Sequence, residues 1–174
     1  MNEALNNLLT RRSCRKYKAE QVAPEQLDAI LEAGTYAPTG MGKQSPLIVA
    51  VQKPEDVRAV EKLNAAAMGN PDARPFYGAP TVVIVFQDSE SPLGVSDANL
   101  VLGNILNAAH AVGVASCYIW RAKESFQTPE GQALKAAWGV PARYEGAANV
   151  ILGYAEDGAI GQPAPRKEGY IIKV

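Results

Sequence analysis

The chain has 174 residues, 47% hydrophobic and 20% charged, the composition of an ordinary globular protein long enough to bury a core of its own. Its net charge of −1 provides no global basic field for nucleic acid or anionic membranes, so any anion site has to be local. No apolar run approaches the roughly 20 residues of a membrane helix, and Met1–Asn7 lacks the character of a secretory signal. The two cysteines, Cys14 and Cys117, are too few for a disulfide framework or a zinc cluster, and a reducing cytoplasm is the expected setting.

In chain order, residues 3–10 are expected as a short helix with Ala4, Leu5, Leu8 and Leu9 on one face. It runs into the cationic stretch Arg11-Arg12-Ser13-Cys14-Arg15-Lys16-Tyr17-Lys18. Pro24, well suited to a first turn, opens a helix with Leu27, Ile30 and Leu31 at helical spacing that ends near Gly34. A turn-rich loop follows from Ala37 to Pro46, and Leu47–Val51 reads as a buried strand. Pro54 opens a helix to about Met68. Breakers then lead to a second strand, Thr81–Phe86.

From Ser96 to Val112 the pattern is a long apolar helix with Leu100, Val101, Ile105 and Ala109 inside and Gly113 as its stop. Ala115–Trp120 reads as strand, and Thr128-Pro129 as the cap and first turn of a helix ending at Trp138-Gly139. Ala148–Gly153 is a fourth strand and Tyr170–Val174 a possible last one. Strands interleaved with helices, with no repeat or linker and no strict βαβ spacing, predict one α+β domain over residues 1–174.

Most familiar catalytic patterns are absent. Gly40-Met41-Gly42 follows a helix rather than a strand and lacks a third glycine, so it is no dinucleotide fingerprint. Gly42-Lys43-Gln44 lacks the Ser or Thr of a P-loop. The single histidine, His110, sits inside the long helix, where a surface or interface role is expected. No metal site and no nucleophile motif is present. That poverty fits hydride transfer, in which a cofactor carries the reactive atom and the protein supplies binding, orientation and electrostatics.

Three features are positive. Arg11, Arg12 and Arg15, with Ser13 among them, match phosphate oxygens, since guanidinium forks and a hydroxyl donate charge-assisted bonds of about 1.5–3 kcal/mol each. Arg166-Lys167 follows Pro163-Ala164-Pro165, where the prolines limit the directions those cations take. The loop Pro38–Pro46 combines Gly40 and Gly42, which let backbone approach a flat ligand, with the donors Thr39, Lys43 and Gln44. Each also has a plainer reading, as a solvated turn, an exposed tail or a simple connection.

In their order these segments resemble the nitroreductase family. The match runs from Arg11–Tyr17 through Ala37–Pro46, Phe76–Pro80, Asp97–Asn99, Asn104–Leu106 and Gly113–Ile119 to Leu152–Tyr154 and Pro165–Lys167. The resemblance implies a three-layer α/β/α sandwich with a central, mostly antiparallel sheet flanked by helices. It implies FMN as cofactor, with its phosphate held by Arg11, Ser13, Arg15, Arg166 and Lys167, and with Arg12 contributing mainly through its backbone. Pro38, Thr39, Gly40 and Gln44 would lie along the isoalloxazine, Asn64 near the ribityl chain, and the backbone of Ile119, Trp120 and Arg121 near the flavin N5 face. It further implies an intertwined homodimer with flavin at the interface, NADH or NADPH as reductant, and a small-molecule acceptor such as a nitroaromatic or quinone.

The chain departs from the commoner family pattern at Gly42, where many members have asparagine, at Ser45-Pro46-Leu47, and at Trp120-Arg121-Ala122. Two other functions use the same cations: a flavin store or sensor without turnover, and a phosphate-ligand or RNA-binding module. The net charge and the lack of an aromatic-studded basic face weigh against the last.

Overall fold

The computed structural model describes residues 2–174. In order its elements are α1 (Glu3–Thr10), α2 (Pro24–Thr35), β1 (Leu47–Val51), α3 (Pro54–Ala67), β2 (Thr81–Asp88), α4 (Gly94–Ala111), β3 (Ala115–Ile119), α5 (Ala122–Gln127), α6 (Pro129–Ala137) and β4 (Tyr144–Gly153). The helix starts follow simple chemistry. Asn2 accepts from Leu5 N–H at 2.9 Å to cap α1, Thr128 accepts from Gly131 N–H to cap α6, and prolines open α2, α3 and α6.

The four strands form one antiparallel sheet in the order β1-β2-β4-β3. Central strands β2 and β4 are buried on both faces, because helices cover each side. Val82, Ile84, Phe86, Cys117, Ile119 and Ile151 pack with Val57 and Val60 of α3 and Phe126 of α5. Val83, Val85, Val150 and Leu152 pack on the other side with Leu27 and Ile30 of α2 and with Val101, Leu102 and Ile105 of α4. The alternation of side chains along β2 therefore builds two cores, and the expected three-layer sandwich results. A register shift at Val85/Phe86 opposite Gly146 and Ala148 leaves Ala147 as a bulge.

The elements differ from the sequence expectations at five places. Leu47–Val51 forms, but at the sheet's edge, so its residues are mostly half-buried rather than buried. Leu100 faces solvent, because the buried stripe of α4 runs through Ala98, Val101, Leu102, Ile105 and Ala109. β4 begins four residues earlier than expected, at Tyr144. Helix α5 had no expectation, being a single polar-looking turn and a half whose buried face is only Ala122, Ser125 and Phe126. Residues 170–174 form no strand in this chain; Tyr170, Ile171, Ile172 and Val174 are exposed, and no sheet edge of the subunit pairs with them.

The α3/α5/α6 core hinges on one aromatic chain. Phe126 meets Phe86 edge-on with centroids 5.0 Å apart and Trp138 at 6.0 Å. Phe126→Ala is expected to cost about 3–5 kcal/mol of stability, because a fully buried ring is replaced by a cavity between the sheet and the α3/α5/α6 layer. Urea denaturation checks this; a loss under about 1 kcal/mol would show that α5 is not part of the cooperative core.

Candidate functional site

The cationic stretch leaves α1 extended and runs along the sheet. Ser13 pairs with Ser116 of β3 in a parallel bridge, Cys14 N–H donates to Ser116 O at 2.9 Å, and Tyr17 pairs with Ala155. Tyr17 O–H donates to Cys14 O, and burial, with the Cys14 thiol beside it, holds the phenol far above its ordinary range. Buried Cys14 and Tyr17 thus pin the strip, while Arg11, Arg12 and Ser13 are half-buried and Arg15 is exposed.

Arg12 Nη1 donates to Leu9 O at 2.8 Å and to Arg11 O at 2.7 Å, closing the C-terminal end of α1. Its Nε, however, and Nη1 of Arg11 are buried without any partner. Both arginines share a hollow of about 230 Å³ with His110, Gly113, Ser116, Ala155 and Ile160. Thr10 spends its hydroxyl proton on Asn6 O, so the 2.9 Å contact between Thr10 Oγ1 and His110 Nε2 requires the proton on Nε2. Burial, followed by the Arg11 and Arg12 charges, lowers the His110 pKa and favours the neutral ring. Two guanidinium nitrogens that lack acceptors in a partly dry corner are donors that an anion could satisfy.

A second part lies at the far end of β3. Asn64 of α3 donates through Nδ2 to Trp120 O at 2.6 Å, and Asn149 of β4 donates to Ile119 O at 3.4 Å. Both asparagines are fully buried and both Oδ1 atoms have no partner. Arg121 adopts a left-handed backbone, φ 74°, at the start of α5, and Ser125 donates to Arg121 O through both N–H and O–H. The 119–121 turn is therefore clamped from beneath with acceptors to spare. Neither Asn149 nor its role was expected, although a single amide inside the apolar run Ala148–Gly153 is a legible signal.

The third part is the loop Pro38–Gln44. Asp97, buried in the first turn of α4, accepts from Gly40 N–H at 2.9 Å and from the Ser45 hydroxyl at 3.1 Å. Gln44 N–H donates to Thr39 Oγ1. Met41, Gly42 and Gln44 all have positive φ, and hollows open beside Pro38, Thr39 and Gln44. Gly42 at φ 66° explains its departure from asparagine, since both residues accept the left-handed region readily. Asp97 opens one of the segments that carry the family resemblance, but its role as the acceptor that fastens this loop is not expected from the sequence.

The structure brings the Arg11–Ser13 corner and the Asn64/119–121 turn onto one strand, β3. It does not bring the Pro38–Gln44 loop to them. That loop is fastened at the start of α4, whereas His110 beside Arg11 is near the end of that 18-residue helix, roughly 20 Å away at about 1.5 Å per residue. Arg166 and Lys167 are exposed, and among the described residues neither records a bond to residues 11–15. Arg166 donates to its own neighbour Ala164 O. Of the segment after β4, Ala155 and Ile160, both upstream of them, share the arginine hollow.

A model described as the nitroreductase family matches residues 8–76. An FMN reductase [NAD(P)H] from Bacillus subtilis is 32% identical over 135 residues, covering 67% of this chain; the chain thus spans about half of that relative's length, 53%. A nitroreductase crystal structure with bound FMN from Bacteroides fragilis is 31% identical, covers 100% of both chains and superposes with a TM-score of 0.92. A second FMN-bound nitroreductase, from Desulfitobacterium hafniense, is 26% identical, with 100% and 99% of the two chains covered and a TM-score of 0.90.

Asp97→Ala leaves the Gly40 N–H and the Ser45 hydroxyl without their acceptor and frees the loop from α4. The expected cost is about 2–3 kcal/mol, accompanied by faster proteolysis within residues 38–46. Unchanged stability and unchanged protease resistance would show that the loop is held by something else.

Proposed function

This chain belongs to the nitroreductase family, and from that premise we propose that it is an FMN-dependent oxidoreductase that draws hydride from NADH or NADPH for nitroaromatic, quinone or related acceptors. The observation that carries the reading is the set of buried polar atoms without partners, Arg11 Nη1 and Arg12 Nε at one end of β3 and the Oδ1 atoms of Asn64 and Asn149 at the other. Such atoms are costly unless a ligand meets them. From Ser116, beside Ser13, to Ile119 is roughly 10 Å at about 3.3 Å per residue, a run suited to a sugar-alcohol chain between a phosphate and a ring.

In this reading Arg11, Ser13 and Arg15 hold the phosphate, with Arg12 keeping the corner in place and Arg166 and Lys167 adding charge from the other end of the chain. Asn64 and the Ile119–Arg121 backbone orient the ribityl chain and the ring. Pro38, Thr39, Gly40 and Gln44 present backbone and an amide edge to the ring. When bound, FMN supplies the two-electron redox chemistry that this set of side chains lacks. The residues themselves neutralise a dianion, fix a flat ring and exclude water from one side of it.

The separation of the loop from the arginine corner favours a homodimer, with a second copy's 38–44 loop completing each site. The exposed leucines Leu5, Leu8 and Leu9 of α1, beside an open hollow of about 750 Å³ between α1 and α4, suit such a partner. We read residues 1–174 as a single FMN-binding domain.

Purified protein supplied with FMN is expected to stay yellow through gel filtration and to bleach without air on addition of a nicotinamide. A bound flavin that remains oxidised with both NADH and NADPH would remove the oxidoreductase reading. Arg11→Ala is expected to weaken FMN binding by about 10–100-fold, with riboflavin affinity and the thermal midpoint little changed. Flavin-fluorescence titration measures this, and equal FMN affinity in the two proteins would reject the phosphate assignment.

A further inference from the structure

Trp120 and Arg121 combine a clamped backbone with free side chains. Asn64 fixes Trp120 O, Ser125 fixes Arg121 O twice, and Arg121 is held in a left-handed conformation that an arginine adopts only under such constraint. Yet Trp120 is 62% exposed, and the Arg121 guanidinium stacks over its ring at 5.4 Å from the centroid. The other tryptophan, Trp138, instead packs edge-on against the buried Phe126 ring. Among the described residues the recorded ion pairs are Arg74–Glu61, Lys123–Glu145 and Arg143–Asp88, so the Arg121 charge has no carboxylate of its own. A large ring in water beside an uncompensated cation, on a rigid turn, is a recognition surface that waits for a flat anion.

We propose that Trp120 and Arg121 are the specificity-determining pair for the acceptor and select planar, electron-poor aromatics that carry a carboxylate or sulfonate. The inference rests on the flavin reading above, because only that reading puts the 119–121 turn beside the redox centre. The indole offers an electron-rich face to an electron-poor ring, and the guanidinium offers a planar fork to the anionic substituent. Hydride delivery itself needs neither side chain; the pair decides which acceptors dwell there long enough to be reduced. Lys123, the second residue of α5, adds a second positive charge to the same end of the helix, although it is shared with Glu145.

The test uses the FMN-loaded, oxidised protein without nicotinamide, so that binding is read apart from turnover. Quenching of tryptophan fluorescence is titrated with 4-nitrobenzoate and with its uncharged counterpart 4-nitrobenzamide. Wild type is expected to bind the anion on the order of tenfold more tightly. Arg121→Gln, which keeps an unbranched side chain at the left-handed position, should bring the two affinities within about twofold, and Arg121→Lys should restore part of the preference. Trp120→Leu should weaken both ligands together by about fivefold, read from the flavin absorbance change. Equal affinities in wild type, or a preference that survives Arg121→Gln, would overturn the proposal and leave the flavin reading standing. Failure to retain FMN at all would overturn both.

Discussion

Helix α4 sets the central constraint. Its first turn carries Asp97, which holds the Pro38–Gln44 loop by two hydrogen bonds, and its last turn carries His110, which lies against Arg11 and Arg12. A rigid helix of 18 residues buried along one stripe does not bend to close that gap. The two halves that the family resemblance assigns to one flavin therefore stand at opposite ends of one subunit. In the homodimer proposed above, the start of one α4 would face the end of the other, and an isologous interface would produce two equivalent sites at once. The exposed apolar face of α1, which packs beside α4, fits the same account.

The sheet explains why the arginine corner and the 119–121 turn are held so differently. β3 is an edge strand, and the 11–17 strip is tied to it by the single Ser13–Ser116 bridge and to the segment after β4 by the Tyr17–Ala155 bridge. The strip gains its rigidity from Cys14 and Tyr17, which are buried in the α3/α5 core. Its arginines then project from a fixed backbone with part of their hydrogen-bonding capacity unspent. At the other end, amides from α3 and β4 reach successive carbonyls of the exit turn. Polar groups in otherwise apolar elements are costly to bury, and their presence under a left-handed turn is what the proposed binding role of that turn would account for.

Much of this was legible in the sequence. Proline at helix starts, glycine at Gly113 and the β-branched runs located most elements, because each signal reflects a local backbone preference. The arginine cluster was visible as a charge pattern. What was not legible depended on the neighbours. Whether Leu47–Val51 sits at the centre or the edge of the sheet, and whether Leu100 faces in or out, depends on which helix stripe meets which strand. Asn149 has no motif to mark it, and Asp97, though it opens a motif segment, shows its role only where the fold sets it beside the 38–45 loop. Helix α5 was missed because its buried face is only three residues long. The Tyr170–Val174 run has strand composition, but an extended segment becomes a strand only by pairing with an edge, and this run pairs with neither β1 nor β3.

The dimer requirement is open to direct measurement. Sedimentation velocity of the FMN-loaded protein, recorded at the flavin's visible absorbance across a wide range of protein concentration, reports which species carries the cofactor. The account predicts that bound flavin sediments only with a particle of twice the 18.5 kDa chain, and that dilution to monomer releases it. Stoichiometric flavin travelling with the 18.5 kDa species would contradict it.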